Sequence, residues 1–233
     1  MLIRVFIFIL TINFTCLPSA YSGEEDLYDF LWLDPDKSVY VLQNKLYPKD
    51  KTFYVDIGYL GVNLTSTFQD TAGAHIKAGY FFSEEFAFEL NYTQYSNSDN
   101  TALKGLGDVT SLAPFIRRPL TSKSLYFVWS PFYGKINTFN KIYYFDWSFG
   151  VGTGVYTMES NIDTAELNNE DRFSKEDYTP VQLKSSLTFH INKSLHIGLE
   201  FINTNFQSNT PQKKNTKSWD QNNDVIFSIG ASF

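Results

Sequence analysis

From residue 52 onward, apolar and polar side chains alternate with a period of two, in segment after segment. That period marks strands whose two faces meet different environments. Residues 52–63 set Phe53, Val55, Ile57 and Tyr59 against Tyr54, Asp56 and Gly58. Residues 72–82 set Ala74, Ile76, Ala78 and Tyr80 against His75, Lys77 and Gly79. Residues 85–95 set Phe86, Phe88, Leu90 and Tyr92 against Glu89, Asn91 and Thr93, and 124–133 align Leu125, Phe127 and Trp129. The clearest segment, 141–157, has Tyr143, Phe145, Trp147, Phe149, Val151 and Val155 on one face. Its other face carries Asp146, Ser148, Gly150, Gly152 and Gly154. Segments 179–190, 194–205 and 223–233 repeat the alternation; the last places Val225, Phe227, Ile229, Ala231 and Phe233 together. Each segment has about the length that crosses a bilayer at a tilt.

The connections carry a second signal. Ser83-Glu84 and Asn192-Lys193 are tight and 134–140 is short, whereas 96–123, 158–178 and 206–222 are long and polar and 64–71 is intermediate. Strict alternation of short and long connections is the habit of outer-membrane barrels. The predicted fold is therefore all-β: an eight-stranded antiparallel transmembrane β-barrel with a short N-terminal periplasmic segment. Segment 109–116 is apolar enough for a strand, but counting it gives an odd total. It is assigned to the second long connection, as an extension above the membrane.

Alternation alone also suits a soluble barrel with its apolar face inward. Three features favour the reverse. Large aromatics stand near strand ends, where interfacial girdles belong: Tyr59, Tyr80, Tyr92, Trp129, Tyr143 and Trp147. The opposite face mixes glycines with single charges, which a narrow lumen filled by side chains accommodates. Gly150, Gly152 and Gly154 would weaken an exposed strand face on a soluble protein without gain.

The N-terminus adds location. Arg4, the apolar run 5–14 and Ala20-Tyr21-Ser22 have the layout of a secretory signal, so 1–22 is expected to be removed. Residues 23–51 open with Glu24, Glu25, Asp26 and Asp29. Leu27, Phe30 and Leu31 then suggest one face of a short helix, and 38–46 alternate weakly. This stretch is expected to be a periplasmic N-terminal segment, with the barrel over 52–233. The only cysteine, Cys16, lies in the signal without the small preceding residues of a lipoprotein site, so the exported chain would hold no thiol. Aromatics make up 18% of the chain, with 22 Phe and 15 Tyr, and a net charge of -6 leaves no basic footprint for nucleic acid.

Val39 to Leu46, then Trp129-Ser130-Pro131-Phe132-Tyr133-Gly134-Lys135, then Tyr144-Phe145-Asp146, resemble the outer membrane beta-barrel domain family of small deltaproteobacterial-type barrels. Phe233 is similar to the end signal of outer-membrane proteins. The resemblance implies residence in the bacterial outer membrane and reading of Phe233 by the barrel assembly machinery. It brings no enzymatic activity.

The expected barrel-interior polar network is Lys77, Glu89, Asp146, Lys184, His190, His196 and Glu200. Glu89 would lie diagonal to Lys77, and Glu200 to Lys184, within their hairpins. Structural pairing is preferred to carboxylate catalysis, because a lone buried charge is costly. His190 and His196 would face each other near the periplasmic end. With no cysteine and no close carboxylate to complete a ligand set, they read as a polar plug rather than a metal site. Ser186, His190 and Asp146 can be assembled into a triad on paper, but no spacing selects it. No catalytic residue and no cofactor is expected. Connection 158–178 is acidic, with Glu159, Asp163, Glu166, Glu170, Asp171, Glu176 and Asp177; 206–222 carries Lys213, Lys214 and Lys217. Such runs are ordinarily solvated, although they also suit ions or phosphates near lipopolysaccharide.

The expected role is structural or surface-interacting, through long extracellular loops. Outer-membrane lipid, lipopolysaccharide and the assembly machinery are the expected partners, and the loop ligand is open. A narrow pore for small solutes and a lipid-modifying outer-membrane enzyme are the alternatives.

Overall fold

The computed structural model describes residues 45–233 apart from 66, 110–113, 139–140, 163–172 and 211–212. The expected signal peptide, and the acidic opening and short helix of the N-terminal segment, lie outside the described residues. The alternating segments form β1 (Phe53–Asn63), β2 (Gln69–Phe81), β3 (Phe86–Asp99), β4 (Arg117–Thr138), β5 (Lys141–Ser160), β6 (Ser174–Tyr178), β7 (Val181–His190), β8 (Leu195–Thr210) and β9 (Lys213–Ser232). One helix, α1 (Thr101–Val109), lies between β3 and β4.

Every pairing is antiparallel, and the pairings close on themselves. β1 bonds β2, β2 bonds β3, and so on through β4, β5, β7, β8 and β9, which bonds β1 again. The wall is thus an eight-stranded antiparallel barrel. β6 is not a ninth wall strand. It lies in the same register line along β5 as β7, with Asp177 opposite Thr157 and Val181 opposite Thr153. Pro180 falls in the gap between them, where a residue without N–H interrupts the ladder.

Register also shows the tilt. Stepping sideways from Phe53 leads to Tyr80, Phe88, Phe127, Val151, Leu183, Asn203 and Asn223. The Asn223 carbonyl accepts from Leu64 N at 2.9 Å, so the path returns to the first strand well above its start. That stagger belongs to a barrel of tilted strands. We call the end where β1 begins and β9 finishes the foot, and the other the crown. At the foot Phe53 and Phe233 exchange backbone hydrogen bonds of 3.2 and 2.8 Å.

The faces are inside out relative to a soluble protein. Phe53, Ile57, Leu90 and Phe227 are all more than half exposed on the outer wall, while Asp56, Lys77, Glu89 and Glu200 are buried inside. The inward glycines make room for inward rings: a Cβ on Gly79 would meet Tyr54, and one on Gly152 would meet Tyr126.

The strands are longer than hydropathy suggested. β4 starts at Arg117, not 124; β8 and β9 extend over most of 206–222 as one hairpin; and β5 and β6 pair within 158–178. Connection 206–222 is thus largely raised wall, and 96–123 and 158–178 are so in part, through 96–99 with 117–123 and through 158–160 with 174–178. Of segment 109–116, residues 110–113 lie outside the described residues; Val109 ends α1, and 114–116 carry no strand. At the foot, 134–140 is not merely a turn, since β4 and β5 stay paired out to Thr138 and Lys141 beyond a register shift at Trp129/Phe132. The cause is common to all of these. Where water replaces lipid, both faces of a strand become polar, so the alternation fades although the backbone ladder continues.

A closed ring offers no free edge from which to unravel. Purified protein should therefore migrate differently on gels before and after boiling; identical mobility of the two samples would count against ring closure.

Candidate functional site

The inward residues fall into three layers. The middle layer is ionic. Lys77 Nζ lies 2.6 Å from Glu200 Oε1 and 3.0 Å from Asp56 Oδ2. Lys184 Nζ contacts Glu89 Oε1 closely and stands 3.7 Å from Glu200 Oε2. Tyr54 OH donates to Glu89 Oε2 at 2.7 Å, and His196 Nε2 lies 2.9 Å from Asp56 Oδ1. The five charged side chains of the two lysines and three acids are at most 4% exposed. Charges this deep persist only when paired and hydrogen-bonded.

The partners differ from the diagonal hairpin pairs. Glu89 of β3 meets Lys184 of β7 rather than Lys77, and Glu200 of β8 meets Lys77 of β2 at shorter range than Lys184. Long side chains reach across a narrow lumen instead of staying on their own hairpin. Sequence reasoning missed Asp56 and Tyr54, although both sit on the polar side of the first alternating segment. It paired only neighbours in the chain.

The foot layer is built around Asp146. Its Oδ2 lies 2.6 Å from His190 Nε2, and its Oδ1 accepts from Lys49 Nζ at 2.7 Å. Lys49 also donates to Ser130 Oγ at 2.7 Å, and Ser148 donates to Ser130 at 2.8 Å. His190 and His196 are register partners with ring centroids 6.3 Å apart, as expected. The statement that no carboxylate lies near them is overturned, since Asp146 and Asp56 each hold one ring. Each histidine belongs to its own pair, and the described residues contain no metal-holding group of three His, Cys, Asp or Glu. His190 has no serine partner among its hydrogen bonds in the described residues, so the paper triad with Ser186 is not assembled.

Lys49 arrives on a strap, residues 45–50, that crosses the foot. Tyr47 stacks on His190 at 5.0 Å between centroids, and Tyr133 OH accepts from Leu46 N at 3.1 Å. Glu84, in the tight β2–β3 turn, anchors the strap: its Oε2 accepts from Lys49 N at 2.9 Å and Asp50 N at 3.1 Å, and its Oε1 from Lys45 Nζ at 3.0 Å. Between strap and ionic layer a cavity of about 270 Å³ remains.

Burial pushes the Lys49 ammonium below its ordinary value, against the pull of Asp146. For Glu84, burial pushes upward, but the backbone N–H of Lys49, the Lys45 ammonium and the Asp50 N–H together hold the carboxyl below the usual glutamate range. A depressed carboxyl contributes stability that is present above its unfolded value and lost as pH falls through its folded one. Amide-exchange protection at Lys49 and Asp50 should therefore drop on acidification through that range, and Glu84→Gln should show the drop already at neutral pH. Equal protection in the two proteins would remove Glu84 from the anchor.

The crown layer is apolar. Leu60, Tyr95, Tyr156, Met158, Ile202, Phe206 and Ile226 cluster across the lumen. Its one buried acid, Asp224, accepts from Tyr95 OH at 2.7 Å and Asn63 Nδ2 at 2.8 Å. Above it Arg117 spans the mouth, bonded to Asp220 and Ser208 at 2.8 Å each.

No family model matches the sequence, and no curated protein matches it. Several solved structures are similar. The N-terminal β-barrel domain of Pseudomonas aeruginosa OprF has 11% identity and a TM-score of 0.42, over 79% of this chain and 98% of that one. Neisserial surface protein A has 13% identity and a TM-score of 0.42, over 78% and 97%. Ail, the attachment invasion locus protein of Yersinia pestis, has 11% identity and a TM-score of 0.41, over 79% and 99%. At this distance the likenesses decide nothing about function, and the fold assignment rests on the closed ladder itself.

Proposed function

We propose that this chain is a small barrel of the bacterial outer membrane with a structural or surface-interaction role, carried by the raised hairpins of its crown. A closed barrel wrapped in an apolar belt, with ion pairs inside, suits lipid around it and supports residence in a membrane. Outer-membrane lipid and lipopolysaccharide are then its surroundings. The narrower deltaproteobacterial-type grouping rests on the sequence motifs around Val39 to Leu46 and Trp129 to Lys135.

One observation carries the choice against a pore. The lumen is filled at three levels: by Lys49 and Asp146 at the foot, the Lys77–Glu200–Lys184–Glu89 cluster in the middle, and Leu60, Tyr156 and Ile226 at the crown. An eight-stranded interior is just wide enough for side chains to fill it. Purified protein in planar bilayers should show little conductance. Stable, frequent single-channel steps would overturn this reading in favour of a pore. A lipid-modifying enzyme finds less support, because among the described residues His190 bonds no hydroxyl that it could activate, and the Lys49 amine beside it is held by Asp146 and Ser130.

A further inference from the structure

Above the apolar belt, the outer face of the β8–β9 hairpin changes character. Going up β9, Ile229, Phe227 and Val225 give way to Asn223, Gln221 and Trp219; going up β8, Leu199 and Phe201 give way to Asn203, Asn205 and Gln207. Register sets Phe201 against Val225, Asn203 against Asn223, Asn205 against Gln221, and Gln207 against Trp219. Trp219 is 65% exposed. It stands two polar pairs clear of the last apolar pair, roughly 20 Å along the strand at about 3.3 Å per residue. A girdle tryptophan sits at the belt's edge, and Trp219 does not.

Beside it a cavity of about 540 Å³ opens at the crown mouth, bordered by Phe68, Phe115, Arg117, Trp219, Gln221 and Asn222. That size lies within the usual range of small-ligand sites. The cation in this lining is already matched. Arg117 Nη1 serves Asp220 and Ser208, its Nη2 donates to the Asn209 carbonyl at 2.9 Å, and its Nε lies 3.5 Å from Glu176. Among the described residues Arg117 Nε makes no hydrogen bond, but the guanidinium already stands against two carboxylates, Asp220 and Glu176, so an anionic ligand would find no unmatched positive charge in that lining. What remains is aromatic surface and amide groups. On the outer face Gln221 stands opposite Asn205, and Gln207 opposite Trp219, so the exposed indole has amides beside it.

We propose that the crown mouth binds a neutral saccharide, with a ring face stacked on Trp219 and hydroxyls bonded by Gln221 and Gln207. An amide presents donor and acceptor side by side, which matches a hydroxyl that does both. The C–H face of a sugar ring meets the negative face of the indole. This inference rests on the surface-interaction reading and names its ligand class. The sugar comes from one of two sources: the core of the membrane's own glycolipid, or a glycan outside the cell.

The test is a glycan array carrying neutral, sialylated and sulfated oligosaccharides, probed with the folded barrel in detergent. A parallel arm uses phospholipid vesicles with and without lipopolysaccharide that bears its core sugars. Binding should fall on neutral members, and Trp219→Ala should weaken it at least about tenfold, as loss of an aromatic anchor does. Gel mobility before and after boiling verifies that the variant still folds. Binding to the sugar-bearing vesicles alone assigns the membrane source; binding on the array assigns the outside one. No binding in either arm, binding confined to sulfated members, or undiminished binding by Trp219→Ala overturns the proposal. Labelling of Lys217→Cys on intact cells with an impermeant maleimide separates the two failures. A labelled crown that binds no sugar sinks the saccharide alone, whereas an unlabelled crown sinks the surface reading beneath it.

Discussion

Replacing Lys184 by methionine should destabilise the barrel more than the loss of any one acid of the ionic layer, by about 3–5 kcal/mol. The layer holds three carboxylates, Asp56, Glu89 and Glu200, against two lysines. Removing Glu200 still leaves two matched pairs, Lys77 with Asp56 and Lys184 with Glu89. Removing Lys184 instead strands Glu89 and leaves Glu200 to share Lys77 with Asp56. The Lys184 side chain is wholly buried, so no water replaces its charge. The ranking is therefore Lys184→Met well below Glu200→Gln, with Lys184→Met/Glu89→Gln recovering part of the loss. Urea midpoints in micelles, read as the folded band on gels, give the comparison. Equal midpoints for Lys184→Met and Glu200→Gln would show that charge balance does not govern this layer.

Deleting Phe233 should strongly reduce the amount of barrel in the outer membrane while leaving refolding into detergent nearly normal. Phe233 is 77% exposed and exchanges two backbone hydrogen bonds with Phe53 at the foot. As a folding contact it is modest, since one interfacial side chain contributes about 1–2 kcal/mol of burial. The sequence resemblance implies that this aromatic, on an alternating strand, is read as an assembly signal, and a signal would be lost whole. Membrane level at native expression and refolding yield are measured side by side. Unchanged membrane level would reduce Phe233 to one more girdle ring.

The wall was legible because lipid imposes its pattern on the sequence. Each stretch that borders hydrocarbon must alternate, and the segments around Ile57, Leu90, Val151 and Ile229 do so. Above and below the belt that pressure is gone. The β8–β9 hairpin carries Asn203 against Asn223 and Gln207 against Trp219, polar or exposed on both sides, and reads as loop although it is strand. The interior was legible in kind but not in pairing. Lys77, Glu89, Lys184 and Glu200 announce themselves as charges among glycines and serines, but which meets which depends on barrel diameter and stagger, and no local spacing encodes these. The strap was hidden for a related reason. Lys49 is one of two lysines in Pro48-Lys49-Asp50-Lys51, and only its contact with Asp146, far along the chain, sets it apart.

The break at Pro180 has a consequence for how such a surface can vary. Above it β6 bonds β5, while the upper parts of β8 and β9 bond each other, so the β5–β6 arm and the β8–β9 hairpin share no ladder there, whereas β4 stays bonded to β5 up to Arg117 and Ser160. The β8–β9 hairpin can then lengthen, shorten or change sequence without shifting the register of the strands below. That arrangement would let the β8–β9 hairpin change independently of the β5–β6 arm over an unchanged wall. It also marks the crown turn between β8 and β9 as the place to insert a foreign peptide for display.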